Sequence, residues 1–198
     1  MVVALASAFG AGLAPRAHAQ DWFTTATYQV SFPVEDTKRF TDEISFIGGG
    51  IDFRKKLTGG TTAGIYMAWN VFHDRTDGTL DIASGAVTGT QDRYINSFPV
   101  MIGLYQYFGN RRSIRPYIGV NGGGFLFVQS FRIGISEFEE DSWEWGAAPE
   151  AGFVFPIQTG AWFVINGRYN WSPTVESLAG NDVTLTYYQF NVGFMWEQ

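Results

Sequence analysis

The chain of 198 residues is 45% hydrophobic, 17% aromatic and only 16% charged, with 24 glycines and 18 phenylalanines. The length suits one domain, and so much glycine disfavours a helical protein, because each glycine in a helix interior costs about 1 kcal/mol relative to alanine. A formal net charge of −6 offers no basic face for nucleic acid, and the lack of cysteine excludes disulfides, thiolate chemistry and cysteine-ligated metals.

The first element in chain order is an export segment. Met1 to Leu13 is apolar and small, and Ala17-His18-Ala19 has the small-x-small pattern of a signal-peptidase site. Residues 1–19 are therefore expected to be removed as a signal peptide before Gln20, leaving 20–198 as the mature domain. No Lys or Arg precedes Arg16, so the natural start is expected upstream. As a helix the apolar run would reach only ~20 Å, short of a ~30 Å hydrocarbon core. No later window offers enough apolar residues for a spanning helix, so any membrane crossing beyond residue 20 has to be built from strands.

From Trp22 onward the dominant signal is alternation of apolar with polar or small residues, in eight segments separated by turn chemistry. The first six fall near 22–32, 44–56, 61–73, 92–108, 113–130 and 143–156. The seventh sets Phe163, Ile165, Tyr169 and Trp171 on one face and Asn166, Arg168 and Asn170 on the other. In the eighth, Tyr188, Phe190, Val192, Phe194 and Trp196 oppose Gln189, Asn191, Gly193 and Met195. Connections alternate between tight (Lys56 to Gly60, Phe108 to Arg112, Ile157 to Gly160) and long and polar (Val34 to Glu43, Asp74 to Gln91, Ile133 to Ser142, Ser172 to Thr184). Short turns at one end and long loops at the other predict an all-β fold, an eight-stranded antiparallel up-and-down transmembrane β-barrel. Both termini would then be periplasmic and the long loops extracellular. Aromatic girdles are expected at both interfaces. Trp22, Phe53, Tyr107, Phe155, Phe163 and Trp196 would form the periplasmic one, and Trp69, Tyr94, Trp145, Tyr169, Trp171 and Tyr188 the outer one.

Four stretches carry a family likeness: Tyr28-Gln29-Val30-Ser31-Phe32-Pro33, Gly48-Gly49-Gly50-Ile51-Asp52-Phe53-Arg54, Ser97-Phe98-Pro99-Val100 and Arg115-Pro116-Tyr117-Ile118-Gly119-Val120. With them the mature chain resembles the small outer-membrane β-barrel family, whose architecture is that of OmpA, OmpX and OmpW. The resemblance implies a place in the bacterial outer membrane, with membrane lipid and lipopolysaccharide as surroundings and the barrel-insertion machinery as a partner. The stretches are strand patterns, so they speak to fold and not to a reaction.

With the aromatic faces toward lipid, Asp52, Arg54, Glu150 and Arg168 point inward, together with Gln29, Asn121, Asn166, Asn170, Gln189 and Asn191. The interior of an eight-stranded barrel is just wide enough to be filled by side chains, so these groups are expected to pair and plug the lumen. Glu150 and Arg168 stand at similar distances from the turn near residue 159, which makes them expected cross-strand neighbours. A soluble lipocalin-like barrel would reverse this arrangement, with an apolar interior.

Catalysis would fall to His73, the one histidine of the mature chain, beside Asp74. No serine stands two or three residues away, so a lipid A modifying enzyme is the weaker reading and no catalytic role is expected. Glu137, Glu139, Glu140 and Asp141 form an acidic stretch read as an extracellular loop. It lacks the glycine-punctuated spacing of a calcium loop, so no metal site is expected, and no cofactor. Gly122-Gly123-Gly124 lacks the strand-to-helix setting of a phosphate loop. The expected role is structural or surface-interacting, in a monomer. The alternative is an OmpW-like conduit for small apolar molecules, suggested by the inward Tyr66, Met101 and Met195.

Overall fold

The computed structural model describes residues 22–198 except 35–36, 39–40, 83–84, 134–135 and 177–181. The expected signal peptide and residues 20–21 lie outside the described residues. Eight strands follow in chain order: β1 (Trp22–Val34), β2 (Ile47–Lys56), β3 (Thr61–Ile82), β4 (Gly85–Tyr107), β5 (Arg115–Ile133), β6 (Ser136–Gln158), β7 (Ala161–Glu176) and β8 (Asp182–Glu197). Each pairs antiparallel with its sequence neighbours. β1 closes the barrel on β8 in a register running from Phe23↔Glu197 to Val34↔Thr186. Closure leaves no open edge, the condition for a sheet to stand in hydrocarbon with its backbone satisfied. The fold read from the alternation is thus borne out.

The tight connections are as expected. Gly59, Gly60, Gly109 and Gly160 all sit in them with positive φ, a region where a Cβ is strained. The opposite end departs from expectation. Two of the four predicted long loops are continuous ladder: β3 and β4 pair up to Ile82↔Gly85, and β5 and β6 up to Ile133↔Ser136. The segments Asp74 to Gln91 and Ile133 to Ser142 therefore extend strands instead of interrupting them. At 19 to 23 residues, β3 to β6 greatly exceed the about 9–11 residues that cross a bilayer. Beyond the membrane neither sheet face needs to be apolar, so alternation fades while backbone pairing persists. In the fourth predicted loop β7 also continues, to Glu176, and β8 begins at Asp182. The first is a true connection, pinned to the rim where the Thr186 amide donates to Thr37 Oγ1 at 2.7 Å.

Side-chain distribution is inverted relative to a soluble barrel. Ile102 is 71% exposed, and Ile65, Leu104, Ile118, Val120, Phe153 and Phe194 also face outward, in mid-strand. Asp52, Arg54, Glu150 and Arg168 are buried inside. Leaving so much apolar area against water is unfavourable by about 25 cal/mol per Å², so this surface calls for lipid. Eleven of the twelve expected girdle aromatics follow the outward parity of their strands. Tyr107 does not: it is buried, on the same face of β4 as Tyr105, Met101 and Ser97, while Val100, Ile102 and Leu104 hold the outward positions.

Candidate functional site in the barrel lumen

The lumen is layered. At the long-hairpin end, Tyr66, Phe72, Ile95, Met101, Phe125, Phe127, Leu185 and Tyr187 pack into one apolar cluster. At the short-turn end, Phe23, Tyr105, Tyr107, Tyr117, Val154, Trp162, Val164 and Met195 form another. Between them lies an ionic layer.

Its centre is Glu150 on β6. Register sets Glu150 opposite Arg168 on β7, whose Nε donates to Glu150 Oε2 at 2.8 Å while a terminal nitrogen reaches the same oxygen. The other carboxylate oxygen accepts from Arg54 across the lumen at 3.2 Å. Arg54 also lies 3.1 Å from Asp52 Oδ1, because residues two apart on a strand share a face. Two carboxylates and two guanidiniums sum to zero charge, the arrangement a buried site requires. Each cation also lies over a ring, Arg54 3.5 Å above Tyr105 and Arg168 3.6 Å above Tyr66.

Neutral groups extend the layer. Arg54 donates to the Tyr107 hydroxyl at 2.8 Å, and Asn121 donates to Ala148 O at 3.0 Å and Glu150 Oε2 at 3.3 Å. The Tyr105 hydroxyl stands between Asp52 Oδ1 and Asn121 Oδ1. Asn191 donates to Asn166 at 2.6 Å. Toward the hairpin end, Gln189 donates to Gln29 at 3.1 Å and Asn70 at 2.8 Å, and accepts from Asn170 at 3.0 Å; Gln29 donates to Tyr66 at 2.9 Å. Hydrogen bonds join Arg168 through Glu150 and Arg54 to Tyr107, and the Arg168 guanidinium stacked on the Tyr66 ring links this system to the Gln29 side. Every lumen residue expected from parity is found inside. The contributions of Asn70, Tyr105, Tyr107 and Tyr117 were not foreseen; their parity on β3, β4 and β5 is the signal that could have found them.

Glycine makes room for the rings. A Cβ on Gly119 would come 2.4 Å from the Tyr105 ring. Gly119→Ala is therefore expected to lift Tyr105 from Arg54 and lower stability by about 1–3 kcal/mol, measured by urea unfolding of the barrel in lipid vesicles against wild type.

His73 lies outside the lumen. Its ring stacks on Tyr94 at 4.2 Å, and the register continues through Tyr94↔Ser130 and Ser130↔Glu139, giving one row of His, Tyr, Ser and Glu across four strands. Tyr94 separates histidine from serine, whose backbones are roughly 10 Å apart at ~4.8 Å per strand. The acidic stretch is a correction as well: Glu137, Glu139, Glu140 and Asp141 belong to β6, not to a loop. Glu139 and Asp141 are exposed, and the side chains of Glu137 and Glu140 lie outside the described residues. Among the described residues no group of His, Asp and Glu is placed to hold a metal.

No family model matches the chain, and no curated protein matches it by sequence. Solved structures do match in fold. The Neisserial surface protein A (NspA) is similar at a TM-score of 0.61 and 11% identity, over 89% of this chain and 97% of that one. The N-terminal β-barrel domain of Pseudomonas aeruginosa OprF is similar at 0.50 and 12%, over 90% and 98%. Escherichia coli outer membrane protein W is similar at 0.50 and 16%, over 92% and 100%. The chain therefore has the fold of the small eight-stranded outer-membrane barrels.

Proposed function

We propose that the chain is an integral protein of the bacterial outer membrane with a structural or surface-interaction role and a lumen closed to solutes. The observation that carries this reading is the buried, charge-balanced layer of Asp52, Arg54, Glu150 and Arg168, closed above and below by apolar clusters. In the proposed orientation the termini and short turns face the periplasm, and the long β3–β4 and β5–β6 hairpins stand outside. There they are available to partners and to lipopolysaccharide. The barrel closes on itself within one chain, which supports a monomer inserted by the barrel-assembly machinery. No part of this reading needs a cofactor or a catalytic residue, since His73 faces outward beside Tyr94.

A second reading, a conduit for small apolar molecules, draws on the apolar cluster at the hairpin end, the surface such a molecule would wet. Conductance separates the two. Purified wild-type barrel in a planar bilayer is expected to give no discrete conductance steps, and an apolar tracer such as a long-chain alkane is expected to cross barrel-containing vesicles no faster than empty ones. Reproducible single-channel steps would contradict the closed lumen, and accelerated tracer entry would favour the conduit.

A further inference from the structure

At the short-turn end the lumen opens into a cavity of about 200 Å³ whose lining includes Phe23, Lys56, Thr62, Tyr107, Arg111 and Arg115. At ~30 Å³ per water, that is room for several waters or one small oxyanion. Arg115, the first residue of β5, is only 6% exposed. It is held by rings alone, its guanidinium 4.9 Å from the Tyr107 centroid and 5.7 Å from that of Trp162. Its Nε is buried with no hydrogen-bond partner, and the carboxylate that acts on its charge, Glu197, is hydrogen-bonded to Arg111 instead. Arg54 and Arg168, the other two arginines buried among the described residues, are each bonded to a carboxylate directly.

A second orphan lines the same cavity. The hydroxyl of Thr62, 2% exposed, also lacks a partner. Arg111 at the mouth is already paired with Glu197 at 2.8 Å, so Lys56, Arg111 and Arg115 face a single carboxylate and leave an excess of two positive charges. A buried cation that only shares a counter-charge bonded elsewhere is unfavourable, and an oxyanion that accepts from the guanidinium fork lowers that penalty.

We propose that this cavity is a binding site for a phosphate group, with Arg115 and the Thr62 hydroxyl as donors and Lys56 and Arg111 closing the mouth. A doubly charged phosphate balances the excess charge, whereas a carboxylate balances half of it. Tyr107 forms the inner wall and accepts from Arg54 at 2.8 Å, so the site abuts the ionic layer without opening it. The phosphate can be free or carried on a lipid headgroup of the leaflet at that end.

The test uses the full barrel folded in an uncharged, phosphorus-free detergent, titrated with inorganic phosphate and followed by phosphorus NMR line width. Wild type is expected to give saturable broadening and a raised unfolding midpoint in phosphate, since a ligand of the folded state stabilises it. Arg115→Gln is expected to weaken binding at least tenfold and Thr62→Val several-fold. Lys55→Gln, on the outward face of β2, should leave it unchanged. Heat-modifiable migration confirms that each variant is folded, and Thr62→Val keeps the test decisive if Arg115→Gln does not fold. In phosphatidylcholine nanodiscs, suppression of the phosphate signal by added phosphatidate identifies the headgroup as the source, and an unaffected signal identifies free phosphate. Absence of saturable broadening in wild type, or equal affinity in wild type and both cavity variants, would overturn the proposal.

Discussion

Glu150→Ala is expected to lower the unfolding free energy of the barrel by about 3–5 kcal/mol, because it leaves two buried guanidiniums facing the single carboxylate of Asp52. The effect is large for a single substitution because water cannot readily replace the lost partner in a lumen this narrow. The double variant Glu150→Gln, Arg168→Met is expected to recover most of the loss, since it removes one charge of each sign and leaves Arg54 paired with Asp52. Urea unfolding of the barrel in lipid vesicles, followed by tryptophan fluorescence, measures both. A Glu150→Ala barrel as stable as wild type would mean that the ionic layer is wet, and would remove the argument for a closed lumen.

Ile102→Arg is expected to be the most damaging outward change. Ile102 lies in mid-strand on β4 with 71% of its surface exposed, so the new guanidinium would stand in hydrocarbon. At the bilayer midplane that destabilises a barrel by about 2–4 kcal/mol, falling to about 0–1 near the interfaces. Placing arginine at Ser130, which pairs with the outer-girdle residue Tyr94, is therefore expected to cost no more than about 1 kcal/mol in the same assay. On a protein exposed to water, Ile102→Arg would be nearly neutral, so the comparison also probes where the band of lipid contact lies.

How much of this was legible depended on whether lipid imposes a pattern. In β7 and β8, where one face meets hydrocarbon and the other a packed lumen, alternation identifies strand, face and register together. Glu150 and Arg168 fall opposite each other because both sit at matched positions from one tight turn. Above the membrane that constraint disappears. The Asp74 to Gln91 and Ile133 to Ser142 segments have a polar, loop-like composition although their backbones pair up to Ile82↔Gly85 and Ile133↔Ser136. The assignment of Tyr107 to a girdle rested on its position near a strand end; its parity with Tyr105 and Met101 pointed inward.

Pairings across the lumen were not legible at all. Arg54 and Glu150 are 96 positions apart on non-adjacent strands, and their contact depends on barrel diameter and on which neighbours leave space. The Arg115 cavity is similar, since its lining comes from strands and turns far apart in sequence. Strand chemistry is local, and the lumen is the place where distant strands meet.

The central claim, a barrel with lipid outside and a polar seal within, is tested most directly by where the protein goes. Expressed with residues 1–19 in a Gram-negative host, it is expected in the outer-membrane fraction after carbonate extraction, migrating faster on gels before boiling than after. Recovery in the soluble fraction without detergent, with no heat-dependent change in migration, would contradict the account.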